Sequence, residues 1–219
     1  MHRLANRIAN TSAPGQRNGE RYLEPAWDIA LLFPAQGAWS EEDYLNLDTN
    51  QLVEFSHGHI EVLEMPSRRH QLIVFFLARW LFDFLAARAL GTVLFAPYRV
   101  RLWAGKIREP DIVFVSNAKA DRMHEQYSDG ADLIIEVVSG DHQHDLIHKR
   151  REYAEAGIPE YWIVDPEVET ITVLRLVEER YAEHGVFRRG DRVTSPSLPD
   201  LDVPVSETFD AGHGAESFS

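Results

Sequence analysis

The feature that most constrains this chain is a strand–helix–strand pattern between residues 131 and 166, in which an acidic residue interrupts an apolar strand. Residues 133–138 read LIIEVV, and Glu136 is the charged residue among them. A run this apolar is typical of a strand buried on both faces, where a carboxylate is costly unless its charge is compensated. Two interpretations of Glu136 therefore stand side by side: a buried acid paired with a neighbouring Arg or Lys, or a metal ligand or acid/base group.

The helix of this unit is predicted to carry polar residues on one face. Residues 139–141 read SGD, which ends the first strand and provides caps for the helix. Asp145, Lys149 and Tyr153 follow at intervals of four residues, and side chains spaced in this way share one helix face. A right-handed crossover would then place the second strand, residues 161–164, parallel to the first.

A second acidic residue, Asp111, stands at the start of another apolar strand. The sequence EPD at residues 109–111 leads directly into IVFV, and proline is tolerated at the start of a strand. Two adjacent strands that each carry one carboxylate can bring both to one divalent cation, and hard oxygen ligands suit Mg²⁺ or Mn²⁺. With Lys149 beside it, such a centre stabilises the charge that develops on a phosphodiester during hydrolysis.

The hydrophobic pattern around this unit predicts a hairpin, a long helix and a strand. The hairpin spans residues 51–64, with Glu54 on its first arm, where an exposed strand position explains it about as well as a functional one. Residues 72–90 nearly reach the length of a membrane span, but three charged residues interrupt them, which favours a buried core helix. His70 falls in the first turn of that helix, where capping or packing is commoner than ligation. Residues 93–103 are predicted to form one strand.

Taken together, the elements predict a fold of the α/β (α+β) class. We expect a mixed central sheet flanked by helices, with an N-terminal β-hairpin and a C-terminal β extension. We place this single domain at residues 36–210, between a flexible N-terminal tail at residues 1–35 and a C-terminal tail at residues 211–219.

Composition limits both chemistry and location. The chain has no cysteine, which excludes disulfides, thiolate zinc sites and cysteine nucleophiles and fits a reducing cytoplasm. The first residues show no apolar segment typical of a secretory signal. The net charge of −13 argues against a uniformly basic nucleic-acid-binding surface. Basic residues cluster at residues 99–108, 149–151 and 188–192, either gathered on one side or simply solvated.

These segments resemble the Uma-two family of putative restriction endonucleases, in the PD-(D/E)XK nuclease superfamily. The resemblance covers roughly residues 33–209 and is most specific in LIIEVVSGDHQHDLIHKRREYAEAGIPEYWIVDP. Weaker matches are QLVEFSHGHIEVLEMP, RRHQLIVFFL, EPDIVFV and PSLPDLDVPV. The resemblance implies a restriction-endonuclease-like core of helix, three strands, helix and strand. It also implies that Asp111 and Glu136 are the acidic pair.

The chain departs from the superfamily pattern at one position. The superfamily has a lysine two residues after the second acid, where this chain has Val138. The resemblance makes Lys149, on the following helix, the natural substitute, because a lysine side chain can reach several ångströms across a cleft. It further implies Glu54 as a third acid, with His70 and Asp145 as accessory residues.

The function predicted from the sequence is that of a metal-dependent endonuclease acting on phosphodiester bonds. Asp111 and Glu136 would bind Mg²⁺ or Mn²⁺, and Lys149 would stabilise charge or orient water. We expect nucleic acid, DNA first, as partner, no membrane association, and a homodimer by analogy with similar nuclease folds. The alternative, motivated by Val138 and the net charge of −13, is a catalytically inactive nuclease-fold binding or regulatory module.

Overall fold

A six-stranded mixed sheet carries the strand–helix–strand unit predicted from the sequence. The computed structural model describes residues 33–49, 51–139 and 143–214, without the side chains of residues 143–145. In chain order its elements are α1 (Glu41–Leu45), β1 (Val53–Ser56), β2 (His59–Val62), α2 (Arg68–Arg88), β3 (Gly91–Phe95), β4 (Arg99–Trp103), β5 (Lys106–Arg108), β6 (Ile112–Ser116), a 3-10 segment (Asn117–Arg122), β7 (Tyr127–Asp129), β8 (Leu133–Val137), α3 (Gln143–Glu155), β9 (Glu160–Asp165), β10 (Thr170–Val177), β11 (Arg180–Arg188), β12 (Arg192–Thr194), β13 (Asp202–Pro204) and α4 (Val205–Ala211).

The strands of the six-stranded sheet follow the order β11-β10-β9-β8-β6-β3. β8 and β9 are parallel and are joined through α3, whereas the other neighbouring pairs in this sheet are antiparallel. A parallel pair needs such a crossover, because a tight turn can join only antiparallel strands. The prediction of a mixed central sheet flanked by helices is therefore confirmed.

The two faces of this sheet are covered by different helices. On one face α2 buries a stripe of apolar side chains, of which Ile73, Leu77 and Leu81 are fully buried. On the other face α3 contributes Tyr153 and Ala154 to a second core cluster. Burial on both faces explains why the β8 sequence is apolar almost throughout.

The helix α2 is also long and apolar enough, by length and composition alone, to cross a membrane. The core helix of a water-soluble domain passes the same test, so this finding is weak evidence for a span. The stripe from Ile73 to Leu85 packs against the sheet, as expected for the predicted core helix.

A smaller five-stranded sheet has the order β2-β1-β5-β4-β7 and packs on α1. The single strand predicted at residues 93–103 is wrong, since it is divided into β3 and β4, which belong to different sheets. A turn around Pro97 separates them, in which the backbone N–H of Tyr98 donates to the carbonyl of Phe95. Proline lacks an N–H, so the strand pairing of β3 cannot continue through it.

Residues from Gln36 onward cluster as one compact unit. Residues 1–32 and 215–219 lie outside the described part of the chain. The two predicted tails, at residues 1–35 and 211–219, therefore stay predictions.

Candidate active site

The two acidic residues predicted from the sequence lie on neighbouring antiparallel strands and on the same face of the sheet. Ile112 pairs with Ile135, so Asp111, just before β6, stands opposite Glu136 on β8. The backbone N–H of Val137 donates to Asp111 Oδ2 at 2.7 Å. Both acids line one pocket of about 90 Å³. The strand pairing thus brings the two carboxyl groups to one place.

Glu136 is buried and its charge is compensated from α3. Its side chain is 8% exposed, and its Oε1 accepts a hydrogen bond from the Tyr153 hydroxyl at 2.7 Å. Lys149 Nζ lies 3.2 Å from the same oxygen. Burial raises the pKa of Glu136 to about 7; Lys149 opposes the rise, and the nearby Asp111 adds to it. The carboxyl group can therefore gain or lose a proton near neutral pH, which is common in active sites.

Lys149 points into the site rather than into solvent. Its side chain is 8% exposed and reaches Glu136 at 3.2 Å and Glu54 Oε1 at 3.8 Å. The predicted accessory residue Asp145 lies one turn earlier on α3, and its side chain lies outside the described residues. The ammonium group of Lys149 thus lies beside the second acid, although residue 138, where the superfamily has its lysine, is a valine.

Glu54 is buried, so its interpretation as an exposed strand residue is wrong. Its side chain is 2% exposed, and its Oε2 accepts a hydrogen bond from Arg108 Nη1. The backbone N–H of Glu109 donates to the other oxygen at 3.3 Å. Burial would raise the pKa of Glu54, but Lys149 and Arg108 together hold it below the ordinary value. Glu54 is therefore an ionised partner of two cations.

A buried network beyond Glu54 escaped the sequence analysis. Arg108 Nη2 donates to Glu152 Oε2 at 2.6 Å, and Lys106 Nζ lies 2.7 Å from Glu152 Oε1. In the sequence, Lys106 and Arg108 belong to a basic cluster expected either to gather on one side of the protein or to be solvated. In the structure they are only 5% and 6% exposed. The detectable signal was their alternation with apolar Ile107, together with Glu152 one turn after Lys149. The network links β5 to α3, the helix that carries Lys149.

His70 lies against the first acid. It belongs to the first turn of α2, whose N-cap is Ser67, and its Nε2 lies 3.1 Å from Asp111 Oδ2. Burial alone would lower the pKa of His70, but its hydrogen bond and proximity to Asp111, and the nearby Glu136, raise it. Because a carboxylate oxygen accepts hydrogen bonds, we assign the proton to Nε2, which then donates to Asp111.

The site offers two carboxylates to a divalent cation. Among the described residues, no three His, Asp or Glu side chains converge on a ready-made metal site. The hydrogen bonds from described residues reach Oδ2 of Asp111 and Oε1 of Glu136, so the second oxygen of each carboxylate accepts none of them. Mg²⁺ is usually held by one or two carboxylates, with waters and substrate phosphates completing its shell. This pair of carboxylates fits that pattern.

Comparisons with known proteins agree with the fold. A family model described as "Uma2: Putative restriction endonuclease" matches residues 41–206. Among solved structures, the chain is similar to a putative nuclease belonging to DUF820 from Anabaena variabilis, with a TM-score of 0.66 and 18% sequence identity over 80% of this chain and 99% of that one. At this identity the structural likeness shows the fold alone. The comparison with curated proteins gave no match.

Substitution Glu136→Gln should flatten the pH dependence of the free energy of unfolding of the metal-free protein. The folded pKa of about 7 lies above the ordinary value of 4.5. The neutral carboxyl group therefore favours the folded state below pH 4.5, and this contribution is lost as the pH rises through 7. The amide stays neutral throughout and lacks this loss.

Urea unfolding of both proteins in a chelator, at several values between about pH 5 and pH 8, measures the difference. The exposed Glu125→Gln serves as the control and should run parallel to the wild type. Parallel curves for the wild type and Glu136→Gln would contradict the prediction.

Proposed function

The chain belongs to the Uma2 family of putative restriction endonucleases, and we propose that it is a metal-dependent endonuclease that hydrolyses phosphodiester bonds of DNA. The observation that carries the proposal is the constellation in one pocket: Asp111 and Glu136 on adjacent strands, with Lys149 Nζ 3.2 Å from Glu136. Two acids and a cation with this arrangement serve phosphoryl chemistry, in which positioning and charge stabilisation dominate.

Asp111 and Glu136 are proposed to hold Mg²⁺ or Mn²⁺ through the oxygens that carry no hydrogen bond from described residues. The other oxygens are fixed by Val137 N–H on Asp111 and by the Tyr153 hydroxyl on Glu136. When bound, a divalent cation activates water and stabilises negative charge on a phosphate. The two carboxylates would hold it beside the start of β6 and the end of β8.

Lys149 is proposed to replace the lysine that the superfamily places at Val138. Side chains at residues 136 and 138 of an extended strand point to the same face, and α3 covers that face. A lysine from α3 therefore delivers its ammonium to the side of the sheet from which a strand lysine would have approached. We assign Lys149 to stabilise the phosphate as its charge grows in the transition state.

Glu54 is proposed to act as a counter-ion rather than as a ligand of the cation. Its Oε2 accepts from Arg108, and its Oε1 accepts from the Glu109 N–H and faces Lys149 at 3.8 Å. With both oxygens engaged, Glu54 helps to hold Lys149 beside Glu136. It adds a third acid to the site without adding a third coordinating group.

A catalytically inactive binding or regulatory module is the competing proposal. The net charge of −13 and the apolar Val138 favour it. Most nucleic-acid affinity comes from neutralising phosphates, and several basic residues near this site are committed to buried acids. Metal-dependent cleavage separates the two proposals, because the inactive module binds without turnover.

Mn²⁺ should bind the wild type and support cleavage of plasmid or single-stranded DNA, and Asp111→Asn should abolish both. Removing the carboxylate takes away a charged ligand, whereas the amide preserves its size. Saturating metal should raise the stability of the wild type by about 2.7 kcal/mol at a hundredfold excess over Kd, and that of the variant much less.

Titration calorimetry and a gel cleavage assay provide the measurements. The exposed Asp121→Asn is the matched control and should behave as the wild type. A wild type without heat of Mn²⁺ binding would remove the metal from the proposal. Binding without cleavage would favour the inactive module.

Lys149→Ala should lower the single-turnover cleavage rate about 10²- to 10³-fold without weakening Mn²⁺ binding. Its ammonium group is needed when negative charge develops on the phosphate. In the resting protein this group lies 3.2 Å from Glu136 and competes with the metal ion for that carboxylate. The exposed Arg151→Ala, on the same helix, is the control for loss of a positive charge. Near-normal cleavage by a folded Lys149→Ala variant would leave Lys149 a structural ion-pair partner.

We further propose a homodimer in the cytoplasm, a reducing compartment that a chain without cysteine fits. The surface that supports a dimer lies on α2 and β3. Phe75, Phe82 and Phe95 are 65%, 59% and 59% exposed around a groove of about 210 Å³. β3 is also an edge strand of its sheet. Exposed aromatic clusters beside an unpaired strand edge are typical of interaction surfaces.

Phe82→Glu should convert the dimer to a monomer, because it replaces an exposed aromatic side chain of this groove with a negative charge. Sedimentation velocity measures the change. Val168→Glu, at a residue 65% exposed outside this surface, is the control and should remain dimeric. A monomeric wild type would exclude the dimer.

A further inference from the structure

We propose that His70 is a positioning residue that fixes the carboxylate of Asp111, so that Oδ1 is the oxygen presented to the cation. This inference rests on the proposed function, because it assumes that Asp111 is a metal ligand. The geometry that carries it is that the other carboxylate oxygen, Oδ2, accepts two hydrogen bonds. Oδ2 of Asp111 accepts from His70 Nε2 at 3.1 Å and from the Val137 N–H at 2.7 Å.

The two donors belong to different elements, one to α2 and the other to β8. Val137 is part of β8, whose backbone is fixed by pairing with β9 and β6. His70 is in the first turn of α2, which is packed on the opposite face of the sheet. A carboxylate held by one hydrogen bond can still rotate about its bond to Cβ. A second donor on the same oxygen restricts that rotation and leaves Oδ1 for the cation.

Stability alone does not explain a histidine at this position. Its side chain is 7% exposed, and its Nδ1 is buried with no hydrogen-bond partner in the described part of the chain. A buried nitrogen without a partner is destabilising, and an apolar side chain of similar size would avoid that loss. In the capping hydrogen bond of α2, the backbone N–H of His70 donates to the Ser67 hydroxyl oxygen, so the imidazole is not needed for it. What His70 adds is the Nε2–H that Asp111 accepts.

Groups that orient the ligands of a metal usually change metal affinity when they are replaced, typically by about 10- to 100-fold. Such an effect differs from general destabilisation, because it depends on a donor at one particular place. Two amide side chains of different length separate these explanations at His70. The amide nitrogen of glutamine reaches about as far as Nε2 of histidine, whereas that of asparagine reaches only about as far as Nδ1.

The experiment compares His70→Gln and His70→Asn with the wild type in Mn²⁺ titration calorimetry. We expect His70→Asn to bind Mn²⁺ about 10- to 100-fold more weakly, and His70→Gln to retain wild-type affinity within about threefold. His70→Leu, which removes the donor but adds no new polar group, should match His70→Asn in affinity. A cooperative melting transition in the absence of metal should show that this variant folds. Gln71→Asn, on the exposed side of the same helical turn, is the control and should change nothing.

Each outcome decides the inference. Wild-type affinity in both His70→Asn and His70→Leu, with binding lost in Asp111→Asn, overturns the role of His70 and leaves the metal site intact. Equal weakening in all three His70 variants overturns the assignment to the Nε2 donor. A wild type that binds no Mn²⁺ overturns the proposed metal site and this inference together, so the two failures are distinguishable.

Discussion

The interaction on which this structure depends is the compensation of the Glu136 charge inside a sheet covered on both faces. A carboxylate in that position has little contact with water, so its charge must be compensated by a cation or removed by protonation. Here two residues of α3 contact Oε1 of Glu136: Lys149 through its Nζ, and Tyr153 through a hydrogen bond from its hydroxyl. The contact therefore links α3 to the strand β8 on which it packs.

The smaller sheet extends this compensation to further charges. β1 and β5 place Glu54 opposite Arg108, and Arg108 in turn bonds Glu152 on α3. Buried acids and bases therefore alternate from the hairpin through β5 to the helix. Removing one partner of a buried pair typically costs about 3–5 kcal/mol, because the other charge stays behind in a poorly hydrated place. The smaller sheet thus does more than enlarge the core, since it keeps Lys149 beside the acidic pair.

Several features were predictable because their signals are local. Glu136 interrupts an apolar run, and Asp111 follows a proline at the start of a strand, so both stood out in the sequence. The Arg108–Glu152 pair did not, because its members are 44 residues apart and meet only after α3 has docked. The division of residues 93–103 was missed for a related reason. Their apolar pattern continues across Pro97, whereas the assignment of β3 and β4 to different sheets depends on contacts distant in sequence.

The buried network has a consequence for how such a chain can change over evolutionary time. Glu54, Arg108 and Glu152 share hydrogen bonds in a region with little access to water, so a neutral replacement of one leaves a buried charge without its partner. Substitutions at these positions are therefore not independent in their effect on stability. We expect sequences that still fold to differ by paired exchanges, in which an acid and its basic partner are replaced together. In divergent relatives, the residues at these three positions should therefore change together.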